Sequence, residues 1–226
     1  MMFNIKKLEK LIVITGLFGV FSFAHANSFD AFFAAVQRDN ESAVVGLALR
    51  EFDINTRNPE GDPALVMALR LGSLKVANFL LDQQTLDIEA RNAHDENALM
   101  MAALKGHTAE ARRLIERGAQ VNKPGWAPLH YAASTELPQS LAMARLLLEH
   151  HAYIDAESPN GTTPLMMAAF YGTSALVDLL LQEGADPQLR NRQGLTAIDF
   201  ARRAGRQRDI DAIARVIRQR QPAGRW

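Results

Sequence analysis

The sequence predicts an all-α solenoid of about five to six stacked helix-turn-helix units, joined by β-hairpin fingers. Three observations carry this. The string ALMMAALKG (Ala98 to Gly106) returns 66 residues later as PLMMAAFYG (Pro164 to Gly172), and related strings begin at Ala64, Pro128 and Ala197. The offsets between successive starts are 34, 30, 36 and 33, a repeat of about 33 residues. Each unit then holds a second apolar string, at Val76, Glu110, Met143 and Leu176, with Leu, Ala and Val recurring at helical spacing. Between units lie polar stretches rich in turn residues: RNPEGD, RNAHDEN, SPNGT and NRQGL.

Ahead of the repeats stands a segment of another kind. Lys6, Lys7 and Lys10 precede a 13-residue apolar run, Leu11 to Phe23, followed by Ala24-His25-Ala26. A basic head, a short apolar run and small residues at a cleavage position describe a secretory signal peptide, residues 1–26. The run is short for a membrane span, which needs ~20 residues; an uncleaved anchor is the alternative. Its brevity and A-x-A ending point to a bacterial signal and a periplasmic destination. The expected mature chain, Asn27 to Trp226, carries 22 basic and 24 acidic residues. Their distribution is uneven: Asn27 to Gln188 holds 12 basic against 21 acidic residues, and Leu189 to Trp226 holds 10 arginines against 3 aspartates. With 48% hydrophobic and 22% charged residues the chain is composed like an ordinary folded protein. It has no cysteine, which excludes disulfides, thiol catalysis and Cys-based zinc sites.

Within each unit the two helices are expected to meet at a glycine: Gly72, Gly106, Gly172 or Gly205. The motif strings TPLMMAA (Thr163 to Ala169), APLHYAA (Ala127 to Ala133), TAIDFA (Thr196 to Ala201) and LLQEGAD (Leu180 to Asp186) keep phase across the units. On these strings the chain resembles an ankyrin-repeat protein over residues 28–218. The resemblance implies an N-terminal cap at 28–56, repeats at 57–90, 91–122, 123–156 and 157–188, and a C-terminal cap at 189–218 ahead of a basic tail, 219–226. Capping repeats with polar outer faces close an open stack. In this frame Met166 and Met167, like Met100 and Met101, belong to first helices that stack on neighbouring repeats. A periplasmic metal-handling protein, for copper or zinc through Met and His residues, is the alternative, since the thioethers of Met pairs select Cu(I).

One junction breaks the pattern. Nine residues separate Ile54 from Pro63, Ile88 from Asn97, Ile154 from Thr163 and Pro187 from Thr196, but only six separate Val121 from Ala127. The same unit has a longer inter-helix connection, Ser134 to Ser140. The short finger is expected to leave a recess beside Trp126 that accepts a partner side chain, and the insertion to enlarge the region near Pro138; drift of tolerant loops accounts for the same changes.

No G-x-S-x-G, H-E-x-x-H, P-loop or G-x-G-x-x-G signature occurs, so no enzyme class is assigned and no cofactor is expected. His150 and His151 are adjacent and cannot face one metal from a single helix face. The resemblance gives His130 a structural hydrogen-bonding role. The arginines between Ala201 and Arg220 form a basic end; export argues against nucleic acid as the partner, and an anionic membrane surface is the weaker alternative to a solvated cap helix.

The resemblance implies a binding surface made of finger tips and the exposed sides of first helices, on an expected monomer that binds a protein partner. Carried over, it comprises Glu60, Asp62, Arg70 and Leu71; His94, Glu96, Leu104 and Lys105; Trp126, Ser134, Thr135, Asn160, Thr162, Phe170 and Tyr171; and Arg192, Gln193, Arg202 and Arg203. Trp126, Phe170 and Tyr171 are expected to anchor the partner, because aromatics dominate binding hot spots.

Overall fold

A computed structural model describes residues 28–220. The signal-peptide reading, and the part of the basic tail beyond Arg220, lie outside the described residues. Six helix pairs follow one another. Helix α1 (28–37) pairs with α2 (Glu41–Ala48), α3 (Ala64–Leu71) with α4 (Leu74–Asp82), and α5 (Ala98–Lys105) with α6 (Thr108–Glu116). Then α7 (Pro128–Ala133) pairs with α8 (Ser140–Glu149), α9 (Pro164–Tyr171) with α10 (Ser174–Gln182), and α11 (Ala197–Arg203) with α12 (Gln207–Arg220). The last helix reaches into the stretch read as tail.

The first helix of each repeat starts at the same register position. Pro63, Asn97, Ala127, Thr163 and Thr196 are the N-cap residues of α3, α5, α7, α9 and α11. Two of these side chains cap their helix: Asn97 Oδ1 accepts from the Met100 N–H at 3.0 Å, and Thr163 Oγ1 from the Met166 N–H at 3.4 Å. From α3 onward the first helices stack α3 on α5, α7, α9 and α11, and the second helices stack α4 on α6, α8, α10 and α12, giving two layers. The interface between first helices is made of small residues: Ala68, Ala102, Ala103, Ala132, Ala133, Ala168 and Ala169 are fully buried. Leu80, Leu114, Leu147 and Leu180 fill the space between the layers. Met100, Met101 and Met166 belong to this core, each about 1% exposed; Met167 is half-buried. At the N-terminal end Phe32 packs on Phe33 and Phe52, with ring centroids 5.2 and 4.7 Å apart.

The turn glycines split into two kinds. Gly72, Gly106 and Gly205 hold φ of 77°, 71° and 69°, the left-handed region that glycine enters without steric penalty. Gly172 is extended, with φ −86° and ψ −170°. The fingers are turns rather than ladders: a single bridge joins Arg57 to Pro63, and no strand occurs among the described residues. The long connection after α7 leaves Leu137, Pro138 and Gln139 exposed. It folds back over the preceding repeat, where a Cβ on Gly106 would stand 2.9 Å from Gln139 Cβ and 3.5 Å from Leu137 Cδ1.

Candidate binding site

Four fingers close with the same clasp. Asn58 N–H donates to Asp62 O at 3.0 Å while Asn58 Oδ1 accepts from Asp62 N–H at 2.7 Å. The arrangement recurs between Asn92 and Glu96, Ser158 and Thr162, and Asn191 and Leu195. An Asx or Ser side chain thus satisfies a backbone donor that a short turn would leave open. The short junction between Val121 and Ala127 has no room for this clasp. Its ordering residue is Lys123, whose side chain is 4% exposed and pairs with Asp95 of the preceding finger. That ammonium, helped by Arg91, holds the Asp95 carboxyl below the usual carboxylate range.

Beside the shortened junction lies a recess of about 200 Å³, lined by Trp126, His130, Tyr131, Ser134 and Met167. Trp126 meets the His130 ring edge-on, with centroids 5.3 Å apart. The His130 ring is fully buried: Nδ1 accepts from the Ala127 N–H at 3.1 Å, so Nε2 carries the proton and donates to Thr162 O at 2.9 Å. Burial pushes its pKa below the ordinary value and keeps it neutral. The neighbouring Tyr131 hydroxyl donates to Glu96 Oε1 at 2.9 Å, and Asn92 Nδ2 donates to Glu96 Oε2 at 2.7 Å. Burial, reinforced by Glu96, raises the Tyr131 pKa far above the phenol range, so it stays a donor.

The expected surface residues divide accordingly. Glu60, His94, Lys105, Asn160, Arg192, Gln193, Arg202 and Arg203 are exposed, and Arg202 contacts Asp199 at 3.2 Å. Tyr171 is 51% exposed. Asp62 is a correction: it is 6% exposed, because the Arg70 side chain, eight residues on, folds over its carboxylate. Thr162 is buried too, as the acceptor for His130. Glu96 is half-buried, held by Asn92 and Tyr131. Trp126 and Phe170 are half-buried but do not form one cluster: Phe170 meets Tyr171 and Phe200 edge-on, with centroids 4.5 and 6.2 Å apart. Met167, on the same helix as Phe170, belongs to the Trp126 recess instead. Sequence reading missed Tyr131 and Met167 as lining residues. A signal existed: Met67, Met101, Tyr131, Met167 and Phe200 share one repeat position, buried at Met67 and Met101 and half-buried at the other three.

Among the described residues no three His, Asp or Glu side chains converge as a metal site. Residues 85–158 and 141–217 match the family model for ankyrin repeats in three copies. This chain belongs to the ankyrin-repeat family. As an ankyrin-repeat chain it is 38% identical over 107 residues to Protein fem-1 homolog A-like of Mus musculus, covering 46% of this chain and 16% of that protein. It is 34% identical over 149 residues to the B-cell lymphoma 3 protein homolog of Mus musculus, covering 63% of this chain and 33% of that one. The match therefore spans at most a third of either relative. Among solved structures, a chain in the complex of the Bd0816 predatory endopeptidase from Bdellovibrio bacteriovorus with immunity protein Bd3460 superposes with a TM-score of 0.70. It shares 28% identity, covering 82% of this chain and 97% of its own. An ankyrin repeat domain from Acinetobacter baumannii AYE has a TM-score of 0.67 at 23% identity, covering 82% and 96%, a likeness of fold. Ankyrin repeats are protein-protein interaction modules, and this chain is built as one.

Proposed function

We propose that the chain is a non-catalytic interaction module of the periplasm, binding a partner protein across its fingers and first helices. The observation that carries this reading is the apolar recess at the shortened finger, with the Tyr171 ring exposed at the far end of α9, the helix that contributes Met167 to the recess. An apolar patch ringed by charged finger tips is the usual form of an interface. The uneven charge supports an oriented partner: residues 27–188 hold 12 basic against 21 acidic side chains, and the C-terminal stretch is strongly basic. Export rests on the Leu11 to Phe23 run and the Ala24-His25-Ala26 site. The structural likeness to a chain in an endopeptidase complex makes an exported endopeptidase the first partner to test.

The test is a capture from periplasmic extract with residues 27–226, beside Trp126→Ala/Tyr171→Ala, with bound proteins identified by mass spectrometry. A partner retained by the parent chain and lost by a folded double variant is expected. Equal retention by both would overturn the assignment of these aromatics as anchors. Recovery of the chain from the cytoplasm with residues 1–26 intact would overturn the periplasmic reading.

A further inference from the structure

We propose that the Trp126 recess receives a basic side chain, an arginine or lysine presented by the partner. This rests on the interaction-module reading and names the chemistry of its central contact. The half-buried Glu96 carboxylate is joined to the recess through Tyr131, one of its lining residues, and both its oxygens accept from neutral donors, Asn92 Nδ2 and Tyr131 OH. Among the described residues no cation is within ion-pair distance of it. The adjacent cations are committed elsewhere: Lys123 and Arg91 both pair with Asp95. Neutral donors orient a carboxylate without cancelling its charge.

The walls suit a cation with a long stem. Trp126 and Tyr131 supply aromatic rings, which attract a cation through their quadrupoles. Met167 supplies a thioether surface against which a methylene stem packs while its charged head reaches toward Glu96. At about 200 Å³ the recess admits one side chain rather than a segment of backbone. The surrounding chain favours the same sign of ligand, since residues 27–188 carry 9 more acidic than basic side chains.

The experiment needs no partner. The chain has two tryptophans, so Trp226→Phe leaves Trp126 as the sole indole reporter. N-acetyl-arginine amide and N-acetyl-norleucine amide, a neutral probe with a similar stem, are titrated while Trp126 fluorescence is followed. Saturable binding of the arginine probe alone is expected, weakened by added salt and reduced roughly tenfold by Glu96→Gln. Equal or tighter binding of norleucine would overturn the proposal and make the recess an apolar socket. So would an unchanged arginine affinity in folded Glu96→Gln, or no saturable response to the arginine probe. The norleucine comparison and the salt series use the unaltered recess, so they decide the matter even if Glu96→Gln fails to fold. A captured partner that survives Glu96→Gln but is lost with Trp126→Ala/Tyr171→Ala would overturn the cation assignment alone and leave the interaction module standing.

Discussion

Gly172 lies against Ala133: a Cβ on this glycine would stand 2.7 Å from the Ala133 carbonyl oxygen. The contact crosses from repeat four to repeat five, so Gly172 is required for close approach, whereas Gly72 is required for its φ of 77° and has open space around it. The two glycines occupy equivalent positions and answer different demands.

Substitution separates those demands. Gly72→Ala should cost about 1 kcal/mol through its left-handed backbone. Gly172→Ala should cost more, about 1–3 kcal/mol, because a carbonyl must move. Denaturant unfolding of the two variants checks the order.

The two methionines of α9 should differ as strongly. Met166→Ala removes a side chain that is 1% exposed and should cost about 2–5 kcal/mol. Met167→Ala should cost less, since its side chain is half-buried at the recess, while shifting the Trp126 fluorescence. Thermal unfolding and emission spectra of both variants read the contrast.

Arg206 ties the C-terminal repeat to its neighbour. Its guanidinium donates to Ala168 O at 3.0 Å and to Gly172 O, and its Nε pairs at 2.6 Å with the fully buried Asp209. Arg206→Met should destabilise by about 3 kcal/mol, the low end for a broken buried pair, because Arg208 still reaches the Asp209 carboxylate at 3.3 Å. Adding Asp209→Leu should restore part of the loss; no recovery would mean that the carbonyl contacts matter more.

His130 makes the stability pH-dependent. Its folded pKa lies below the ordinary 6.5, so the unfolded chain takes up its proton first as pH falls. Between 6.5 and the lower folded value the unfolded state binds more protons, and stability declines with falling pH. Melting temperature should therefore drop from about pH 7.5 to about 5, and the slope should be shallower in His130→Asn after allowance for its lower starting point.

The sequence by itself determined the register. A repeat near 33 residues, cap residues at equivalent positions and glycine stops are local signals, and they located the first helices, the second helices and the one short finger before any contact was known. Exposure was another matter. Asp62 reads as a finger-tip residue, yet Arg70 covers it from the next helix. Tyr131 reads as one more bulky residue of a first helix, yet its hydroxyl reaches Glu96, 35 residues away. Only the tertiary structure decided these, because burial and the shape of a recess depend on how one repeat stacks on the next. Local periodicity fixes where a side chain sits in its own helix; it carries no record of which neighbouring repeat will cover it.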